Sequence, residues 1–272
     1  MNYWNSWHRL KCACFSLVVL SSCQENTSSV YTSDGRPEQE QSTTALDSVP
    51  QTPIGSLGAS FPDSIHGNPL LPELEQTLRD QGLVNVQELD PSIRVSLAYS
   101  TTDNFLKTDV YGDLARCYLQ PEVARMLVKA SSCIQMKDSA FRLIVFDGVR
   151  PLSVQRKMWD IVKGTQQQQY VAAPTGGGGM HNYGCAVDLG LYHVDSGVVD
   201  MGTPFDFFGE LAQPRYEVKF VQEGKLTQEH LDHRRALRAC MIQAGFSGIL
   251  NEWWHFNAFP KEIVRHNYTI IQ

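Results

Sequence analysis

The chain predicts an α+β domain with a central antiparallel sheet flanked by helices, on three observations. Apolar residues alternate through "SIRVSLAYS" (92–100) and "CAVDLGL" (185–191), the period-two pattern of strands. Elsewhere, as in 121–134, they recur at helical spacing. The two kinds of signal mix without the regular strand–helix–strand beat of a doubly wound sheet.

From the N-terminus, "MNYWNSWHRLK" supplies Arg9 and Lys11, and "CACFSLVVL" is an apolar run too short to span a bilayer. These read as the n- and h-regions of an export signal over residues 1–22. "LSSC" then resembles the bacterial lipobox, which makes Cys23 the expected lipidation site; the alternative is a plain secretory signal with an incidental cysteine. A lipidated Cys23 implies attachment to a membrane leaflet without a spanning helix; the periplasmic side of the outer membrane is the expected place, with the leaflet left open by the sequence. Residues 23–68 are rich in Ser, Thr, Pro and Gln and hold too little apolar surface to offset their ordering entropy. As a disordered tether, roughly 45 such residues reach about 35–40 Å.

The domain is expected over 69–272. "LPELEQTLRDQG" is a helix ending at Gly82. In the strand "SIRVSLAYS", Ile93, Val95, Leu97 and Tyr99 share one face, and Tyr99 by itself reads as a core tyrosine. Pro121 opens a helix with Val123, Met126, Leu127, Ala130 and Ile134 on one side. "FRLIVF" (141–146) is a short buried strand, and "LSVQRKMWDIVKG" a helix closed by Gly164. "LTQEHLDHRRALRACMIQAGF" is a longer helix, capped by Thr227 and stopped by Gly245. "EWWHFNAF" (252–259) is aromatic-rich and strand-like.

The chain has 272 residues, 42% of them hydrophobic, and a formal net charge of -6, so no basic surplus favours nucleic acid. Of seven cysteines, Cys12 and Cys14 leave with the signal and Cys23 takes the lipid. Cys117, Cys133, Cys185 and Cys240 remain in an oxidising setting, with every pairing open. Without CxxC or finger spacing they do not form a structural zinc site.

The stretch "TGGGGMHNYGCAVDLGL" (175–191) carries the first chemistry. A phosphate loop needs a lysine after the glycines, and a dinucleotide loop needs a strand before them; both are missing. The glycines read as a flexible loop. Asp188 shares a strand face with the small Ala186 and is costly to bury unless paired or bound to a metal. His181 precedes that strand. One histidine and one aspartate by themselves read as a satisfied polar pair.

A second cluster, "NEWWHF", shifts that balance. Glu252 and His255 sit among Trp253, Trp254 and Phe256, a setting that raises a carboxylate pKa toward the range of a general base. His181, Asp188 and His255 would make a three-ligand zinc site with one position open for water, and Glu252 would be the base. Arg150, in "FDGVRP", could stabilise charge on a carbonyl oxygen, although alone it reads as a structural ion-pair residue.

Together these pieces resemble the zinc D-alanyl-D-alanine dipeptidases of the vancomycin-resistance type, over about residues 83–260. The family's Ser-x-His-x-x-Gly-x-Ala-x-Asp appears as "GMHNYGCAVD" (179–188), its "EWWH" as Glu252 to His255, and its "DGYRP" as "DGVRP" (147–151). "YSTTDNF" (99–105) and "MGTPFDF" (201–207) match two further segments in order. The resemblance implies one zinc per subunit on His181, Asp188 and His255, Glu252 as general base and Arg150 at the transition state. It also implies that Asp206 and Tyr99 contact the ammonium of a small peptide substrate; without it, Asp206 reads as a turn or cap carboxylate. Gly179 replaces the motif serine and Val149 the tyrosine, departures that touch substrate fit rather than metal binding. Three activities follow as expectations: a D,D-dipeptidase, a carboxypeptidase on muropeptide stems, or a non-catalytic wall-binding lipoprotein.

Overall fold

The computed structural model describes residues 71–272, so the expected signal peptide, Cys23 and the tether lie outside the described residues. The described chain is a mixed α/β domain with its sheets flanked by helices.

It opens with α1 (Glu73–Asp80), closed as expected by Gly82 at φ +82°. Then come β1 (Val84–Asn85) and the single turn α2 (Val86–Leu89), capped by the Asn85 side chain. The strand expected over 92–100 shortens to β2 (Arg94–Val95). Its alternation is real, since Ile93, Leu97 and Tyr99 are buried. The chain nonetheless leaves the sheet into a 3-10 turn, Ala98–Ser100, which carries Tyr99. There the backbone N–H groups of Val110 and Tyr111 donate to the Tyr99 carbonyl instead of a ladder. β3 (Tyr118–Leu119) pairs antiparallel with β1 as a separate two-stranded sheet.

α3 (Pro121–Lys137) buries Val123, Leu127, Ala130 and Ile134, the stripe its spacing indicates. β4 (Phe141–Asp147) follows, then α4 (Leu152–Val162). β5 (Ala186–His193) is the longest strand and β6 (Gly197–Val198) folds back on it. α5 (Glu217–Gln222) leads into α6 (Gln228–Gln243), whose Thr227 side chain accepts from the His230 N–H as a cap. β7 (Ser247–Gly248), β8 (His255–Asn257) and α7 (Lys261–Asn267) complete the domain.

The main sheet has the order β2-β4-β5-β8-β7, with β6 beside β5. It is antiparallel except at one edge, where β2 runs parallel to β4. The central strands are antiparallel as expected, and the parallel β2 edge is an addition to that expectation. A parallel pair needs a long crossover, and α3 between β2 and β4 supplies one. α3 also packs on α6, and Cys133–Cys240 joins the two helices. Cys117 and Cys185 are free and buried.

Register is what positions the site. Asp188 on β5 stands opposite His255 on β8 and, across the other edge, opposite Asp147 on β4. A bulge between Val145 and Asp147 shifts the β4 pairing just before Asp147. Three polar side chains are thereby set in a row across neighbouring strands of the sheet.

Candidate active site

His181, Asp188 and His255 converge. His181 Nε2, Asp188 Oδ1 and His255 Nδ1 lie 2.9, 3.2 and 3.3 Å from one another. A tetrahedral ion with ligand bonds of about 2.0–2.1 Å needs its ligands about 3.3 Å apart, so the three atoms fit a metal ion. They are the one such group of His, Cys, Asp and Glu among the described residues.

The remaining ring nitrogens are already engaged. His181 Nδ1 lies 2.7 Å from the Gly148 carbonyl oxygen, and His255 Nε2 lies 2.9 Å from Asn257 Oδ1. A ring N–H donating to each oxygen leaves His181 Nε2 and His255 Nδ1 bare and aimed inward, the tautomers that ligation requires. Burial opposes charge on both Asp188 and His255. The histidine partners nevertheless hold the Asp188 carboxyl far below its usual range, and the Asp188 hydrogen bond raises the His255 imidazole to about 9.

Arg150 is buried beside this cluster. Its Nε donates to Asp147 Oδ2 at 3.1 Å, a second guanidinium nitrogen reaches the same oxygen, and Nη1 donates to Gln155 Oε1 at 3.2 Å. The guanidinium also lies 5.2 Å over the Tyr99 ring. Its backbone is tied to the loop that carries His181: Arg150 N–H donates to the His181 carbonyl, and Asn182 Nδ2 donates to the Arg150 carbonyl at 2.7 Å.

Glu252 lies in the irregular segment before β8, not in a strand; the ladder begins only at His255, shortening the strand expected over 252–259. Burial, then the Asp188 charge, raises the Glu252 carboxyl above its ordinary value. Asp206 and Tyr99 meet as well, the Tyr99 hydroxyl donating to Asp206 Oδ2 at 2.8 Å. Asp206 adopts φ +59°, a conformation uncommon outside glycine, and burial pushes its carboxyl well above the usual range. A strained, desolvated carboxylate is not what a simple turn residue needs.

All seven residues line one cavity of about 230 Å³, with Gly179, Met180, Asn257 and an aromatic wall. The glycine run borders it but is not a loose rim. Gly176, Gly177 and Gly178 have φ of +67°, +94° and +61°, and a Cβ at Gly178 would fall 2.3 Å from Asn182 Oδ1. Arg265 donates to the Gly176 carbonyl and the Tyr183 hydroxyl to the Gly177 carbonyl. Gly179 is different: its φ is -94°, and a Cβ there would stand 3.4 Å from Ala172 Cβ, an ordinary contact. Backbone geometry therefore does not demand glycine at 179.

The match to the D-Ala-D-Ala dipeptidases of the peptidase M15 class covers residues 79–271, nearly all of the described domain. The chain belongs to that family. This family membership makes the protein a peptidase. Among similar proteins, the D-alanyl-D-alanine dipeptidase of Escherichia coli K12 is 30% identical over 174 residues, 64% of this chain and 83% of the relative. That of Enterococcus faecalis is 27% identical over 202 residues, 67% of this chain and 94% of the relative. That of Streptomyces coelicolor is 29% identical over 194 residues, 63% and 88%.

For a dipeptidase-family domain, local pattern missed several supports. Asp147 is wholly buried and holds Arg150, the Tyr111 hydroxyl at 2.5 Å and the Gly148 N–H at 3.0 Å. Gly148 offers the carbonyl that orients His181, and Asn257 orients His255. The available signals were "DG" between a buried strand and Arg150, and a polar residue two positions after His255.

Proposed function

We propose that this protein hydrolyses short D,D-dipeptides such as D-Ala-D-Ala in cell-wall peptide metabolism, using one zinc ion held by His181, Asp188 and His255. The observation that carries the reading is convergence: the ligand cluster, Glu252, Arg150 and the Asp206–Tyr99 pair share one small cavity. His181, Asp188 and His255 would hold the zinc ion, which when bound would supply Lewis acidity for the carbonyl and for a water nucleophile near neutral pH.

The chain's own residues do the rest. Glu252, partly desolvated, takes the proton of the attacking water and passes it to the leaving amine. Arg150, held by Asp147 and Gln155, presents fixed positive charge to the carbonyl oxygen as it becomes anionic. Asp206 pairs with the substrate ammonium, which restores the ionised carboxylate that burial disfavours, and the Tyr99 hydroxyl orients it.

Size favours a dipeptide over a muropeptide stem. The 230 Å³ cavity lies below the roughly 300–1,000 Å³ typical of drug-sized ligands. A carboxylate with a raised pKa beside the ligand cluster favours catalysis over mere wall binding. The export signal, Cys23 and tether support a lipid-anchored enzyme facing the periplasm.

The deciding assay is amine release from D-Ala-D-Ala, other dipeptides and a muropeptide, with and without chelator. Turnover of D-Ala-D-Ala that chelator abolishes and zinc restores is expected. Glu252→Gln should keep the metal and lose about 10²–10⁴-fold in kcat. Near-normal activity in that variant would remove Glu252 from the mechanism.

A further inference from the structure

One wall of the cavity is aromatic and, apart from Tyr99, takes no part in the chemistry above. Tyr170 ends the 3-10 turn Gln166–Tyr170, and Phe208 lies two residues beyond Asp206. Their rings stack with centroids 4.1 Å apart and planes 10° apart, and the Tyr170 hydroxyl reaches the Phe208 carbonyl oxygen at 3.4 Å. Phe105 meets Phe208 edge-on at 4.8 Å and Tyr99 edge-on at 6.1 Å. A continuous run of rings thus leads from Tyr170 to Tyr99, whose hydroxyl holds Asp206. All four aromatic residues line the cavity, and Tyr170 is 41% exposed, so the outer end of the wall stands in solvent. The stack bridges two chain segments, α4–β5 and β6–α5, that are distant in sequence.

A peptide whose ammonium reaches Asp206 has its amino end against this wall. A further residue at that end would have to occupy the space of the rings. We propose that the Tyr170–Phe208 stack, buttressed by Phe105, is the stop that sets substrate length, admitting one residue on the amino side of the scissile bond. The inference rests on the dipeptidase reading above and adds to it a steric device distinct from the charge of Asp206. An ion pair lost from a longer peptide weakens binding, whereas overlap with packed rings excludes it.

The test compares kcat/KM for Gly-D-Ala-D-Ala, read as release of Gly-D-Ala, with that for D-Ala-D-Ala, using zinc-loaded full-length enzyme. In Tyr170→Ala and Phe208→Ala the tripeptide-to-dipeptide ratio should rise by about tenfold or more, the scale on which small changes in pocket volume act. Tyr170→Phe keeps the ring and should keep the wild-type ratio. An unchanged ratio in the alanine variants overturns the proposal. So does loss of both activities in a variant that melts like wild type, because a stop is not needed for the chemistry. Should Phe208→Ala fail to fold, Tyr170→Ala at its half-exposed position decides alone. A wild-type enzyme that leaves D-Ala-D-Ala intact refutes the dipeptidase reading instead.

Discussion

Asp206 shows how a single residue can work against the fold that carries it. Its carboxyl is desolvated, its φ is positive, and the Asp188 charge adds repulsion. A folded-state pKa above the unfolded value means the folded protein prefers the protonated form, so ionised Asp206 costs stability at neutral pH. That cost begins to shrink as pH falls through the raised value and is gone only below the pKa of the unfolded carboxyl. Asp206→Asn removes the charge and tolerates the left-handed backbone. It should therefore stabilise the substrate-free protein by about 1 kcal/mol at neutral pH while raising KM or abolishing turnover. Melting curves of both proteins check the sign: the gain must shrink as the pH is lowered, and an advantage that grows in acid would contradict it. Gly148 is a second residue with a defined load. An added Cβ would stand 2.6 Å from Cys117 Sγ and 3.2 Å from the Tyr118 carbonyl oxygen, displacing the carbonyl that orients His181. Gly148→Ala should weaken metal binding by about 10–100-fold in a chelator competition. Adding Cys117→Ala should recover part of that loss; two independent effects that simply add would argue against the contact.

At the scale of elements, α3 and α6 pack together and the Cys133–Cys240 bond closes a separation of 107 residues between them. Neither cysteine lines the cavity. Cross-linking a loop of that length stabilises by about 2–5 kcal/mol, mainly by restricting the unfolded chain. Replacing both cysteines by serine should lower the melting temperature clearly and leave kcat at 25 °C near wild type. A large fall in kcat without a fall in melting temperature would mean the helix pair acts on the site directly. The C-terminal segment is another tie between elements. The Leu152 N–H donates to the Ile271 carbonyl, and the Ile271 N–H donates to the Asn182 carbonyl, joining the start of α4 to the residue after His181.

At the scale of the whole molecule, the family domain and the proposed membrane anchor fall in separate parts of the chain. The family match begins at residue 79, and no helix among the described residues is long and apolar enough to cross a membrane. The proposed point of attachment is the expected lipid at Cys23. Cys23→Ser should move the protein from the membrane fraction to the soluble fraction, with kcat on D-Ala-D-Ala unchanged. Retention in the membrane fraction would show that another feature anchors it.

Much of the site was legible because its chemistry leaves local marks. His181 and Asp188 flank a strand start, Glu252 and His255 sit in an aromatic run, and Arg150 follows a buried strand; each is an expensive residue in an apolar setting. Helix ends were legible for the same local reason, as at Thr227 and Gly82. Less readable were features set by pairing between distant segments. The alternation of 92–100 reports burial correctly but cannot say that the ladder stops at Val95. Nor does composition tell which of four cysteines pair. The sequence by itself determined the residue types, the four longer helices, the central strands and the family, but not the short helices α2, α5 and α7. Only the tertiary structure decided that Asp147 holds Arg150, that Gly148 and Asn257 orient His181 and His255, that side chains tie down the glycine run, and that aromatic rings line the cavity with Asp206. The reason is physical: strand register and ring packing depend on contacts between residues far apart in the chain, and no local pattern encodes them.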